Sequence, residues 1–171
     1  MRRVLFVCTG NICRSPTAAG VFRKLVADAG LADLIEGDSA GTHGYHVGEA
    51  PDERSRTAAA ARGYDLAAMR ARRIARDDFH RFDLIIALDR DHLEILSRLA
   101  PPSTGHKLCM LMEFARRSAG DEVPDPYYGG PHGFELVLDL VEDAAEGLLD
   151  RLRAELGVSP SGPAVDPAAG R

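Results

Sequence analysis

The segment Cys8-Thr9-Gly10-Asn11-Ile12-Cys13-Arg14-Ser15 sets a thiol and a guanidinium at the two ends of one short loop. The apolar run Val4-Leu5-Phe6-Val7 precedes it, and Pro16 and a helical pattern follow. A strand, a tight loop and a helix gather backbone N–H groups around one point, with the positive end of a helix dipole behind them. Such a nest holds a tetrahedral oxyanion. The environment that holds a phosphate also favours thiolate over thiol, so Cys8 reads as a nucleophile. Arg14 supplies a planar, two-pronged donor that matches two phosphate oxygens. Thr9, Gly10, Asn11, Ile12, Cys13 and Arg14 are therefore the candidate phosphate-binding residues, and Asn11 in mid-loop tolerates left-handed backbone angles. A nucleotide-binding loop would need Gly-x4-Gly-Lys-Ser/Thr, which this segment does not contain. The chemistry indicated is phosphoryl transfer through a cysteinyl-phosphate.

Two more requirements follow from that chemistry. A phenolate or alkoxide leaving group needs a proton as the P–O bond breaks, and a carboxylic acid on a loop can supply it. Asp125, held in the stiff turn Pro124-Asp125-Pro126, is the first candidate, although an Asp-Pro pair is also a common turn opener. Asp89, at a strand end, is the second. Ser15 can donate its hydroxyl to the Cys8 sulfur or cap the helix. Phosphotyrosine is longer than phosphoserine, so a deep slot with aromatic sides selects it by reach and ring contact. Tyr45, Tyr127 and Tyr128 are the candidate walls.

Three blocks in order carry a family resemblance. Val4 through Pro16 resembles the signature of the low-molecular-weight protein tyrosine phosphatases. Asp125-Pro126-Tyr127-Tyr128-Gly129 is similar to that family's general-acid loop, and Ser39-Ala40-Gly41-Thr42 with Gly44-Tyr45-His46-Val47-Gly48 to its pocket-mouth loop. The resemblance implies a phosphotyrosine hydrolase with Cys8 as nucleophile, Arg14 as phosphate clamp, Asp125 as general acid and Ser15 as support for the thiolate. It implies no cofactor and no metal, and phosphotyrosine-containing proteins as partners of a monomeric enzyme. It also implies that Ser39 helps to hold Asn11, and that oxidation can join Cys8 to Cys13 in a protective disulfide. One departure stands out. Eukaryotic members carry a His in the segment matching Met69-Arg70-Ala71-Arg72, so the loop-supporting network must differ here. A thiol-dependent arsenate reductase would need a downstream cysteine pair, and only Cys109 remains. A protein-arginine phosphatase would have Thr at Ile12 and Phe for the Tyr pair. A binding module without activity would have lost Cys8, Arg14 or Asp125, and all are present.

The bulk composition fits a small enzyme. The chain has 171 residues, 45% hydrophobic and 27% charged, enough for one domain with a sizeable core. A net charge of −5 argues against a general nucleic-acid binder. No apolar stretch approaches membrane-spanning length, and the N-terminus reads as a strand without a signal-peptide leader. Three cysteines make no disulfide framework, and a thiolate enzyme needs a reducing compartment, so the cytoplasm is expected.

The elements that must position these groups alternate between strand and helix. Strands are predicted at 4–8, 34–40, 82–88 and 107–111, and helices at 16–29, 52–62, 90–99 and 134–156. Pro16 reads as the first helical residue, and Leu136, Leu140, Val141, Ala144, Leu148 and Leu152 as the buried side of the last helix. The pattern predicts a single α/β domain over residues 1–157. It has a central four-stranded parallel sheet, helices on both faces and the phosphate-binding loop after the first strand. Residues 158–171, rich in proline, read as a loose tail.

Overall fold

A computed structural model describes residues 1–160 of the chain. The remainder of the expected tail, residues 161–171, lies outside the described residues. Four parallel strands, β1 (Arg2–Cys8), β2 (Ile35–Gly41), β3 (Leu84–Ala87) and β4 (Leu108–Met110), form one sheet in the order β2-β1-β3-β4. β1 is central, paired along its whole length with β2 and from Val4 to Val7 with β3.

The alternation of side chains along β1 divides the core in two. Val4, Phe6 and Cys8 face one cluster, which includes Phe22 and Val26 of α1 (Arg14–Asp28) and Val141, Leu148 and Leu152 of α5 (His132–Leu156). Leu5 and Val7 face the other. There they meet Phe79 of the short α3 (Asp78–Arg81) and Leu96 of α4 (Arg90–Leu99). Helices therefore cover both faces, as a buried parallel sheet requires. α2 (Glu53–Ala61) runs beside α5.

The chain leaves β1 for one face and β3 for the other, so a crevice opens at the carboxyl ends of these adjacent strands. Cys8 ends β1, and Asp89 follows β3 as the N-cap of α4, its side chain accepting the His92 N–H. These two positions frame the site.

Several local expectations change. α1 begins at Arg14, with Cys13 as N-cap, so Pro16 is its third residue rather than its first. Proline is still tolerated there, because the first-turn N–H groups lack intrahelical acceptors. Ser15 lies inside the helix and does not cap it. On α5, Val141, Ala144, Leu148 and Leu152 are buried as expected and Leu140 packs against them, but Leu136 is 44% exposed and Val137 and Leu138 are buried instead. Val158, placed in the tail by composition, donates its N–H to Arg153 O beyond left-handed Gly157 and packs on the core. α3 and the 3₁₀ turns Gly105–Lys107 and Leu111–Phe114 had no clear sequence signal. Among the described residues no helix is long and apolar enough to cross a membrane.

Candidate active site

The loop after β1 folds around its own backbone. Asn11 adopts φ 57°, the left-handed turn that lets the chain curl back toward the start of α1. Its side chain fixes that turn from behind. Nδ2 donates to Ser15 Oγ (2.8 Å) and Ser39 Oγ (2.9 Å), and Oδ1 accepts from the Arg72 amide (3.0 Å). A backbone amide of the 71–74 segment therefore supplies support where Met69 cannot. That segment runs against the end of β2, with Gly41 N donating to Arg72 O and Ile74 N to Gly41 O. A Cβ at Gly41 would lie 2.7 Å from Thr9 O and 3.2 Å from Asn11 N, so only glycine lets β2 approach the loop this closely.

Among the described residues, no protein group accepts the N–H of Thr9, Gly10, Ile12 or Cys13. These residues, with Cys8 and Arg14, line a cavity of about 200 Å³, whose other walls are Tyr45, His46, Asp125, Tyr127 and Tyr128. Unpaired amides at a helix N-terminus make this an anion cradle. Asn11 does not line the cavity; its side chain is spent on the network behind.

Cys8 Sγ is buried, 3.0 Å from Ser15 Oγ. The Ser15 hydroxyl also lies 3.3 Å from Ala40 O and receives a bond from Asn11. Its single proton can therefore turn to Ala40 O when Cys8 is a thiol and to sulfur when Cys8 is a thiolate. Cys13 shares the loop, and burial pushes its thiol up to about 12.

Arg14 is 4% exposed and held rigidly. Nη1 donates to Asp89 Oδ2 (2.7 Å) and Val123 O (3.1 Å), while Nη2 lies 3.4 Å from His92 Nε2 and 3.7 Å from Asp125 Oδ2. Burial alone would raise the Asp89 pKa. The His92 amide and ring and the Arg14 guanidinium reverse this and hold it below the usual carboxylate range. Asp89 is thus an anionic anchor for Arg14, a poor proton donor. His92 is buried with Nε2 2.9 Å from Thr9 Oγ1. Burial, then the Arg14 charge, pushes it down to about 4, so a neutral ring accepts at Nε2. Its Nδ1 is 3.1 Å from Asp89 Oδ1 but poorly aligned, and it has no hydrogen-bond partner among the described residues.

The comparisons with known proteins agree with this geometry. Residues 3–158 match the family described as low molecular weight phosphotyrosine protein phosphatase. The chain belongs to that family. It is 50% identical over 157 residues to a Streptomyces coelicolor low molecular weight protein-tyrosine-phosphatase, covering 90% of this chain and 95% of that one. A crystal structure of an Entamoeba histolytica protein tyrosine phosphatase with Hepes in the active site superposes with a TM-score of 0.87 at 39% identity, covering 92% and 99% of the two chains. The crystal structure of YfkJ from Bacillus subtilis gives 0.85 at 38% identity, covering 91% and 96%.

The loop around Pro124-Asp125-Pro126 brings Asp125 into the same cavity as Cys8, with a carboxylate 45% exposed. Asp125 Oδ1 accepts the Tyr127 N–H at 3.0 Å, a turn that fixes the carboxyl plane. Tyr127 and Tyr128 meet edge to face at 4.9 Å, and across the mouth Tyr45 stacks on His43 at 5.1 Å. The residues read from the sequence thus converge. Asp89 was read only as a reserve acid, while His92, Asp52 and Arg54 had no assigned part. Asp52 and Arg54 join the loop after β1 to the loop that carries Asp125. A lone histidine or an Asp-x-Arg on a polar helix carries no local sign of such a contact.

Proposed function

We propose that this family member hydrolyses phosphotyrosine in proteins through a phosphate ester on Cys8. The observation that carries this reading is one small cavity lined by a buried thiol, unpaired loop amides, a clamped guanidinium and a loop carboxylate. In the first step the Cys8 thiolate attacks phosphorus. The amides of the loop and the Arg14 fork take the charge on the non-bridging oxygens as it spreads. Asp125 gives its proton to the departing phenolate. In the second step the Asp125 carboxylate takes a proton from water attacking the ester, and the Ser15 hydroxyl stabilises the returning thiolate.

Tyr45, Tyr127 and Tyr128 form an aromatic mouth suited to a flat ring held above the phosphate. This reading takes the enzyme as a monomer acting on phosphotyrosine-containing proteins. The enzyme has no need of a nucleic acid, membrane or cofactor for the chemistry. Cys13, protonated over the working range, does not compete with Cys8; it lines the same cavity, and the family resemblance supports a disulfide between the two when Cys8 is oxidised. A working thiolate fits a reducing compartment, and we assign the enzyme to the cytoplasm.

The test is hydrolysis of a phosphotyrosine peptide in reductant and EDTA. Turnover is expected with the wild type and none with Cys8→Ser at an unchanged melting temperature. Activity retained by Cys8→Ser, or lost on chelation, would contradict the reading.

A further inference from the structure

The nucleophile loop and the acid loop are far apart in sequence, yet one continuous path of hydrogen bonds joins them. The Asp52 amide donates to Ile12 O in the nucleophile loop (2.8 Å). The Asp52 carboxylate caps α2 and takes the Arg54 guanidinium side-on, with Nε–Oδ1 at 3.0 Å and Nη2–Oδ2 at 2.9 Å. This pairing leaves Nη1 facing the acid loop, where it donates to Tyr127 O at 3.1 Å. The Tyr127 amide in turn holds Asp125 Oδ1 at 3.0 Å. Two rings fix the guanidinium as well, Tyr127 at 5.3 Å and Phe134 at 4.8 Å from its central carbon.

This arrangement exceeds what a surface ion pair needs. Arg54 is 47% exposed on its side chain, and an isolated exposed pair contributes little to stability. Yet all three nitrogens of the fork are used, two on the α2 cap and one on a backbone carbonyl two residues from the proton donor. A planar fork transmits position in a way that a point charge cannot. Resting on the function proposed above, we propose that Arg54 is a positioning residue that fixes the reach of Asp125 to the leaving-group oxygen, with Asp52 as its anchor on the nucleophile loop. Arg54 does not line the phosphate cavity, so it acts through Tyr127 and Asp125.

Two substrates of nearly equal size separate aim from binding. Phenyl phosphate releases a phenol with a pKa of about 10, close to that of tyrosine, and depends on the acid, whereas p-nitrophenyl phosphate releases a much better leaving group. kcat/KM reports the steps through departure of that group. Arg54→Ala is expected to lower kcat/KM for phenyl phosphate by about tenfold and for p-nitrophenyl phosphate by less than about threefold. Arg54→Lys, which keeps the charge and loses the fork, should show most of the same selective loss. In the Asp125→Ala background, Arg54→Ala should cost almost nothing more, because both changes remove one function. Equal losses on the two substrates, full activity in Arg54→Lys, or additive losses with Asp125→Ala would overturn the proposal. An Asp125→Ala enzyme with no leaving-group dependence would overturn the acid assignment itself, and this proposal with it. A selective Asp125→Ala beside an unselective Arg54→Ala would overturn this proposal alone.

Discussion

Arg14 shows why residue type matters more than charge at this site. One nitrogen of its fork is shared by Asp89 Oδ2 and Val123 O, and the other sits between His92 and Asp125. A lysine ammonium cannot meet these partners and two phosphate oxygens from one point. Arg14→Lys is therefore expected to lower kcat about a hundredfold or more, the scale of losing an oxyanion donor. Steady-state kinetics check this, and a Lys enzyme within about threefold of wild type would show that charge alone suffices. Cys8, Arg14 and the intervening loop were legible in the sequence because they are contiguous and their spacing is itself the geometry. The part of Asp89 as the partner of Arg14, and any part for His92 and Arg54, were not. The contacts that bring them to the site, Arg14 with Asp89 and His92 and Arg54 with Tyr127, span 73 to 78 residues of chain, and nothing beside them records the meeting.

Among the elements, those that form by burying apolar side chains were the easiest to read. β1 and β3 are short apolar runs, and α1 carries a buried stripe of Ala18, Val21, Phe22 and Val26. α3 is four residues long and polar, and the 71–74 segment pairs with Gly41 through backbone alone, so neither has a period to detect. The buried side of α5 is legible from Val141 through Leu152, and only at its start does exposed Leu136 give way to buried Val137 and Leu138. One polar residue on its buried face explains a local turn. Asp143, 3% exposed, accepts the amides of Arg116, Arg117 and Ser118 at 3.2, 3.0 and 2.7 Å. Burial alone would raise its pKa, but Ser118 and then the other two amides outweigh it and set the value at about 2.

The folded pKa of Asp143 is thus below the ordinary 3.8, so its contribution to stability is full above that value and is lost as pH falls toward about 2. Asp143→Asn is expected to melt well below wild type at pH 7, with the gap narrowing near pH 3. A gap that stays constant between the two pH values would show that the carboxylate charge plays no part.

For the whole molecule, the sheet order and the two cores place every reactive group at one crevice. The alternation of strands and helices is enough to imply that layout. Packing between distant elements was not legible in this way. Gly147 in the middle of α5 is such a case, because a Cβ there would lie 1.9 Å from Phe114 O, at the end of the Leu111–Phe114 turn. Alanine normally favours a helix interior over glycine by about 1 kcal/mol. Forcing α5 off the turn should cost more, on the order of 3 kcal/mol. The net effect expected of Gly147→Ala is a melting temperature lower by several degrees, read by calorimetry. A stabilised variant would mean that α5 and the turn are not in this close contact.

The central claim is that phosphate passes through Cys8. The most direct measurement is to mix the enzyme with a phosphotyrosine peptide, quench within the first turnover, digest, and locate the phosphate by mass spectrometry. Asp125→Ala serves as a second sample, since hydrolysis of the ester should be slowed there. Phosphate on the peptide that contains Cys8, absent from Cys8→Ser and more abundant in Asp125→Ala, is the expected result. Product released in the first turnover with no phosphoenzyme in either protein, or phosphate on a different residue, would contradict the account.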